Sequence, residues 1–102
     1  MALKKTYTKT GKKCSVTFSL PAEAAHGAEK VWLCGDFNNW STSETPLKKQ
    51  KNGSFSVTLS LESGQEYQFR YLIDGKTWEN DWAADKYLPA PFSATDNSVV
   101  CV

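Results

Sequence analysis

The sequence predicts an all-β fold, an antiparallel β-sandwich of immunoglobulin-like type with about seven short strands, and three observations carry that prediction. Apolar residues recur with period two in several short runs, the signature of strands with one buried face. Turn-forming dipeptides separate those runs, as the frequent reversals of a sandwich require. Only two stretches, residues 21–30 and 80–92, resist a strand reading.

Taken in order, the first 13 residues are polar and Lys-rich and are expected to form a loosely ordered basic arm. A single domain then follows over residues 14–102. In CSVTFSL (14–20), Val16, Phe18 and Leu20 share one face and Ser15, Thr17 and Ser19 the other. PAEAAHGAEK (21–30) is a polar connector with room for one helical turn, and it holds the only histidine, His26. The strand-like VWL (31–33) leads into the turn GDFNNW (35–40). Asn52-Gly53 is a hairpin signal ahead of SFSVTLSL (54–61), where Phe55, Val57, Leu59 and Leu61 point one way. Ser63-Gly64 precedes EYQFRYLID (66–74), in which Tyr67, Phe69, Tyr71 and Ile73 alternate with Gln68, Arg70, Leu72 and Asp74. Asp74-Gly75 closes that run, NDWAADKYLPAPF (80–92) reads as a long loop, and NSVVCV (97–102) is the last strand.

Composition removes several classes of function. The formal charge is +1, which argues against nucleic acid or an anionic membrane held by bulk electrostatics. No apolar run approaches the ~20 residues that span a bilayer. The basic N-terminus has no apolar segment behind it, so the expected address is cytoplasmic. Cys14, Cys34 and Cys101 contain no CxxC pair and sit in strand-like runs, where a free thiol behaves as a small hydrophobe. Neither a cofactor nor a metal is expected. Catalysis has little to stand on: His26 lies beside Gly27 in a connector, and Asp36, Asp74, Glu79, Asp81 and Asp85 occupy turn contexts without forming an evident acid–base pair.

The tryptophans are more informative. Trp32 alternates out of phase with Val31 and Leu33, so it faces away from their side; cover by the arm or a loop explains it as well as binding does. Trp40, Trp78 and Trp82 are all expected in turns or loops, which makes an exposed aromatic patch. A pyranose offers an apolar C–H face that stacks on an indole, with a rim of hydroxyls for Asn, Arg and Asp partners. Asn38 and Asn39 precede Trp40, and Glu79, Asn80 and Asp81 follow Trp78. That chemistry suits a carbohydrate or, equally by spacing, a protein-interaction patch.

KVWLCGDFNNW, YQFRYLIDGKTWENDWAADKY and DNSVVCV together resemble carbohydrate-binding module family 48. This is the early-set domain of isoamylases, glycogen branching enzymes and the β subunit of AMP-activated kinase. The resemblance covers about residues 14–102 and implies non-catalytic binding of an α-1,4-glucan, glycogen- or starch-like. It implies a sugar platform of Trp40 and Trp78, with hydroxyls held by Arg70, Asn97 and Thr95, and Trp82 as an extension. DGKTW is one residue longer than the kinase subunits' pattern, and Ser93 stands where they carry an apolar wedge. With neither a catalytic nor a kinase-docking segment in the sequence, the domain is expected to stand alone.

Two functions follow. The first is binding of an α-glucan polysaccharide or malto-oligosaccharide; the second is a protein-interaction module that docks on a glucan-metabolising enzyme or self-associates. If Trp40 serves as an offered ring, Trp40→Ala abolishes glucan binding at small cost in stability. If it is a lid on the sandwich, urea unfolding of Trp40→Ala shows a loss of several kcal/mol, on the order of ~3–5.

Overall fold

The computed structural model describes residues 3–90 and 96–102. The alternating runs form β2 (Lys13–Leu20), β3 (Val31–Gly35), β5 (Phe55–Glu62), β6 (Glu66–Ile73) and β9 (Asp96–Cys101). Shorter pieces add β1 (Lys4–Tyr7), β4 (Lys48–Lys49), β7 (Thr77–Glu79) and β8 (Lys86–Pro89). Two short helical pieces complete the chain, α1 (Ala22–Ala25) and a 3-10 turn over Asp36–Asn38. The strands pair antiparallel into two sheets, β1-β2-β5-β4 and β3-β6-β9-β8, with β7 also on β6. The all-β sandwich is the fold that the alternation predicts.

Nine strands are present among the described residues, against about seven expected. The four short strands, β1, β4, β7 and β8, have four residues or fewer, too short for a period-two pattern to show. β1 lies within the stretch expected as a loose arm and pairs along its whole length with β2, from Lys4 opposite Thr17 to Tyr7 opposite Cys14. β8 lies within the stretch expected as a loop.

The core fills from alternate residues of both sheets. Cys14, Val16, Phe18 and Leu20 from β2 meet Phe69 and Tyr71 from β6, all fully buried. Phe18 joins the aromatic cluster built around Phe37 and Phe69. Its ring centroid lies 5.0 Å from Phe69, edge to face, and 5.5 Å from Phe37. Such pairs contribute about 0.5–1.5 kcal/mol each beyond area burial. Phe37 reaches this cluster because the chain turns sharply after β3. Asn38 holds that turn from within, accepting the Gly35 N–H at 3.1 Å and donating to the Leu33 carbonyl at 2.8 Å and the Thr45 hydroxyl at 3.0 Å.

The free side of β3 is covered by residues 45–47. Leu33 donates to the Thr45 carbonyl and Leu47 to the Val31 carbonyl, both at 2.8 Å, and Pro46 sits opposite Trp32. The chain passes directly from there into the other sheet, whose edge strand β4 is a pair of lysines. Lys5 of β1 clasps Asp85 at 2.7 Å, joining the two sheets at their remaining edge.

Gly35 is required for space rather than for its dihedrals, which are fully extended. A Cβ there would lie 2.6 Å from the Gln68 carbonyl oxygen and 2.8 Å from the Phe69 Cβ. Backbone cannot yield cheaply, so Gly35→Ala is expected to cost about 1–3 kcal/mol in urea unfolding, the usual range for overpacking. An unchanged unfolding midpoint would refute that close approach.

Candidate functional site

Strand register assembles the site. Phe69, Tyr71 and Ile73 point into the core, so Gln68, Arg70 and Leu72 point outward from the same strand. Residues directly opposite one another share a face. Leu72 therefore has Trp32 of β3 on one side and Trp78 of β7 on the other, a row of three across the sheet. Arg70 lies one step along, opposite Cys34, and Gln68 the next, opposite Val99. Asn97, two residues before Val99, donates its side-chain amide to the Gln68 carbonyl oxygen at 3.0 Å. Cys34, Leu72 and Val99 are buried yet stand outside the main core cluster, as their outward register requires. Burial pushes the Cys34 thiol up to about 11, so it stays protonated and unreactive.

Trp78 corrects one expectation: it lies on a strand, not in a loop. Lys76 donates its N–H to the Ile73 carbonyl at 3.0 Å, closing a turn in which Asp74 and Gly75 both take left-handed dihedrals (φ 52° and 69°). That is the turn Asp-Gly favours. Thr77 then opposes Ile73, and Trp78 falls outward with 44% of its surface exposed.

Trp40 is half-buried and rigidly held. Its backbone is left-handed (φ 58°), uncommon for a bulky residue, and Asn39 before it is also left-handed (φ 56°). The Trp40 N–H donates to the Gly35 carbonyl at 2.8 Å, and its indole N–H donates to Asp36 at 3.0 Å. The other oxygen of Asp36 accepts the Gln68 backbone N–H at 2.8 Å. One carboxylate thus ties the indole to β6, a step from Arg70. Sequence reasoning missed Asp36 and Gln68 in these roles, although Asp36 at four residues before Trp40 was a readable signal. Arg70 is half-buried and Asn97 buried. Thr95 and Ser93 lie outside the described residues.

Trp82, 56% exposed, rides on the loop between β7 and β8. Asp81 anchors that loop. Its carboxylate, in a residue 2% exposed, accepts the Tyr71 hydroxyl and the Ala83 N–H, both at 2.8 Å. Its own N–H donates to the Ser98 hydroxyl at 2.8 Å, which in turn donates to Asn80 at 2.7 Å. Burial raises the Asp81 carboxyl above the usual carboxylate range, and burial with the adjacent Asp81 charge pushes the Tyr71 hydroxyl up. This carboxylate is a fastener. His26 is exposed at the end of α1, and among the described residues no cluster of three or more His, Cys, Asp or Glu could hold a metal. No helix among them is long and apolar enough to cross a membrane.

The fold and this face define a small β-sandwich that presents aromatic and amide groups from the outer side of one sheet. A family model described as the glycogen recognition site of AMP-activated protein kinase matches residues 20–97, and the chain belongs to that family. It is 39% identical over 64 residues to Protein PTST homolog 2, chloroplastic, of Arabidopsis thaliana, covering 63% of this chain and 11% of that protein. It is 42% identical over 55 residues to 5'-AMP-activated protein kinase subunit beta-1 of Sus scrofa, covering 54% of this chain and 41% of the subunit. The human subunit beta-2 is 40% identical over 57 residues, covering 56% of this chain and 20% of the subunit. Each match takes in less than half of the relative's length.

Asp81 sets a pH dependence with a definite sign. Because its carboxyl is raised in the folded state, folding favours the protonated form, and that contribution is lost as pH rises from the ordinary carboxylate range. Asp81→Asn removes this titration. In urea unfolding its stability relative to wild type is expected to improve between pH 4 and pH 7; a difference that does not change with pH would contradict the assignment.

Proposed function

We propose that this chain is a non-catalytic binder of α-1,4-glucan, using Trp78 and Trp40 as stacking surfaces and Arg70, Gln68 and Asn97 as hydroxyl partners. The observation that carries the reading is the exposed Trp78 indole set on the same sheet face as Arg70 and the bonded Gln68–Asn97 pair. An apolar ring beside oriented amides and a cation is what a pyranose demands, with its C–H face stacked and its rim bonded. Membership of a glycogen-recognition family supports the same reading. Thr95 belongs to the proposed set through the family motif. A cytoplasmic address is part of the proposal.

Two stacks and a few solvent-competing hydrogen bonds place affinity in the micromolar to millimolar range, on the order of −4 to −8 kcal/mol. Weak single contacts suit a polymer with many equivalent sites, where several domains or several chains engage together. A second reading, docking on a glucan-metabolising enzyme, draws support from Trp82 and Tyr87, which are exposed beyond the strand row. Relatives named as kinase subunits are consistent with such an assembly.

Affinity gel electrophoresis separates the two. Glycogen in the gel is expected to retard the wild type, and Trp78→Ala is expected to run as though no glycogen were present while keeping its unfolding free energy within about 1 kcal/mol of wild type, as an exposed side chain allows. Wild-type mobility indifferent to glycogen, together with no heat on titration of maltoheptaose at millimolar concentration, would refute glucan binding and leave the docking reading.

A further inference from the structure

Trp32 lies outside the proposed platform of Trp40 and Trp78. Yet register puts it in one row with Trp78, separated only by Leu72. Two inter-strand steps set the backbones of the two tryptophans about 10 Å apart on one face. Leu72 between them is 5% exposed despite its outward position, so the surface of the row is made by the flanking indoles rather than by the leucine.

Along the strand direction, toward the turn between β6 and β7, Trp32 lines an open hollow of about 550 Å³, together with Gly27, Glu29, Lys30, Asp74 and Lys76. The wall is preset. Asp74 accepts the backbone N–H groups of Glu29 at 3.0 Å and Lys30 at 2.9 Å, and its own N–H donates to the Lys30 carbonyl at 2.8 Å. The hydrogen-bonding side chains left at the rim are Glu29, Lys30 and Lys76, all exposed. Two carboxylates and two ammonium groups cancel, so the hollow has no net charge to attract an ion. An aromatic floor, a polar rim of both signs and overall neutrality fit a neutral polyhydroxylated ring.

We propose that the glucan site continues from Trp78 across Leu72 onto Trp32, where the hollow takes a further glucose unit of the same chain. This extension rests on the glucan-binding reading above. Its consequence is selection by length. A short oligosaccharide is satisfied on the Trp78 side, whereas a longer one gains the Trp32 contact as well.

Calorimetry with maltotriose and maltoheptaose, on wild type, Trp32→Ala and Lys76→Ala, tests it. Trp32→Ala is expected to weaken maltoheptaose by about fivefold, the scale of one lost aromatic contact, and to leave maltotriose unchanged. Lys76→Ala, on an exposed turn, is expected to weaken maltoheptaose about two- to threefold, the lower end for one polar contact. Because Trp32→Ala removes a half-buried side chain from β3, the wild-type protein supplies an independent measurement. Its Trp32 indole N–H resonance is expected to move with maltoheptaose and stay fixed with maltotriose. Wild-type binding of both sugars with a still Trp32 resonance overturns the extension and leaves glucan binding intact. Equal losses for the two sugars in Trp32→Ala also overturn it, marking the residue as structural. Failure of the wild type to bind either sugar removes the glucan reading and the extension together.

Discussion

Strand β6 carries the constraint on which everything else rests: it must satisfy two faces and three neighbouring strands at once. Its inward residues, Phe69, Tyr71 and Ile73, supply the centre of the core, while Gln68, Arg70 and Leu72 set the spacing of the outer face. A slip of one residue would turn the aromatic set out to water and the arginine inward, which is prohibitive. The register that protects the core is therefore the same register that positions Trp32 and Trp78. Stability and site geometry share one set of backbone hydrogen bonds.

Two carboxylates that would draw attention in a search for catalysis turn out to be mechanical. Asp36 couples the Trp40 indole to the backbone of β6, and Asp81 couples the Trp82 loop to Tyr71 and Ser98. Each replaces freedom with a fixed direction. An aromatic ring held this way loses little entropy when a ligand settles on it, so weak stacking is not spent on ordering the side chain. The left-handed backbone at Asn39 and Trp40 is the conformational cost of this arrangement, and the buried Asn38 beneath it helps to hold the strain.

Much of this architecture is legible in the sequence, and what is not has physical causes. The long strands β2, β5 and β6 show eight residues each of clear alternation, enough to define both faces. β7 shows three residues after an Asp-Gly turn, and no pattern survives over so short a span. Reading Trp78 as a loop residue follows directly from that brevity. The outward face of Trp32 is visible from its phase against Val31 and Leu33. Its neighbour in the row is not, because cross-strand partners are fixed by non-local register. GDFNNW carries the turn and the family motif plainly. The second bond of Asp36, to Gln68 on another strand, is again beyond any local reading.

The edges of the two sheets matter once many copies share one support. A protein that gathers on a repeating polymer reaches local concentrations far above those in free solution, and open strands then invite neighbours to add to the sheet. Here Pro46 lies against β3 and offers no N–H, while the lysines of β4 repel an identical partner. At these two edges a neighbouring copy finds no ready strand to pair with. Both devices work against fibril-like growth from those two edges, whatever surface the domains are gathered on.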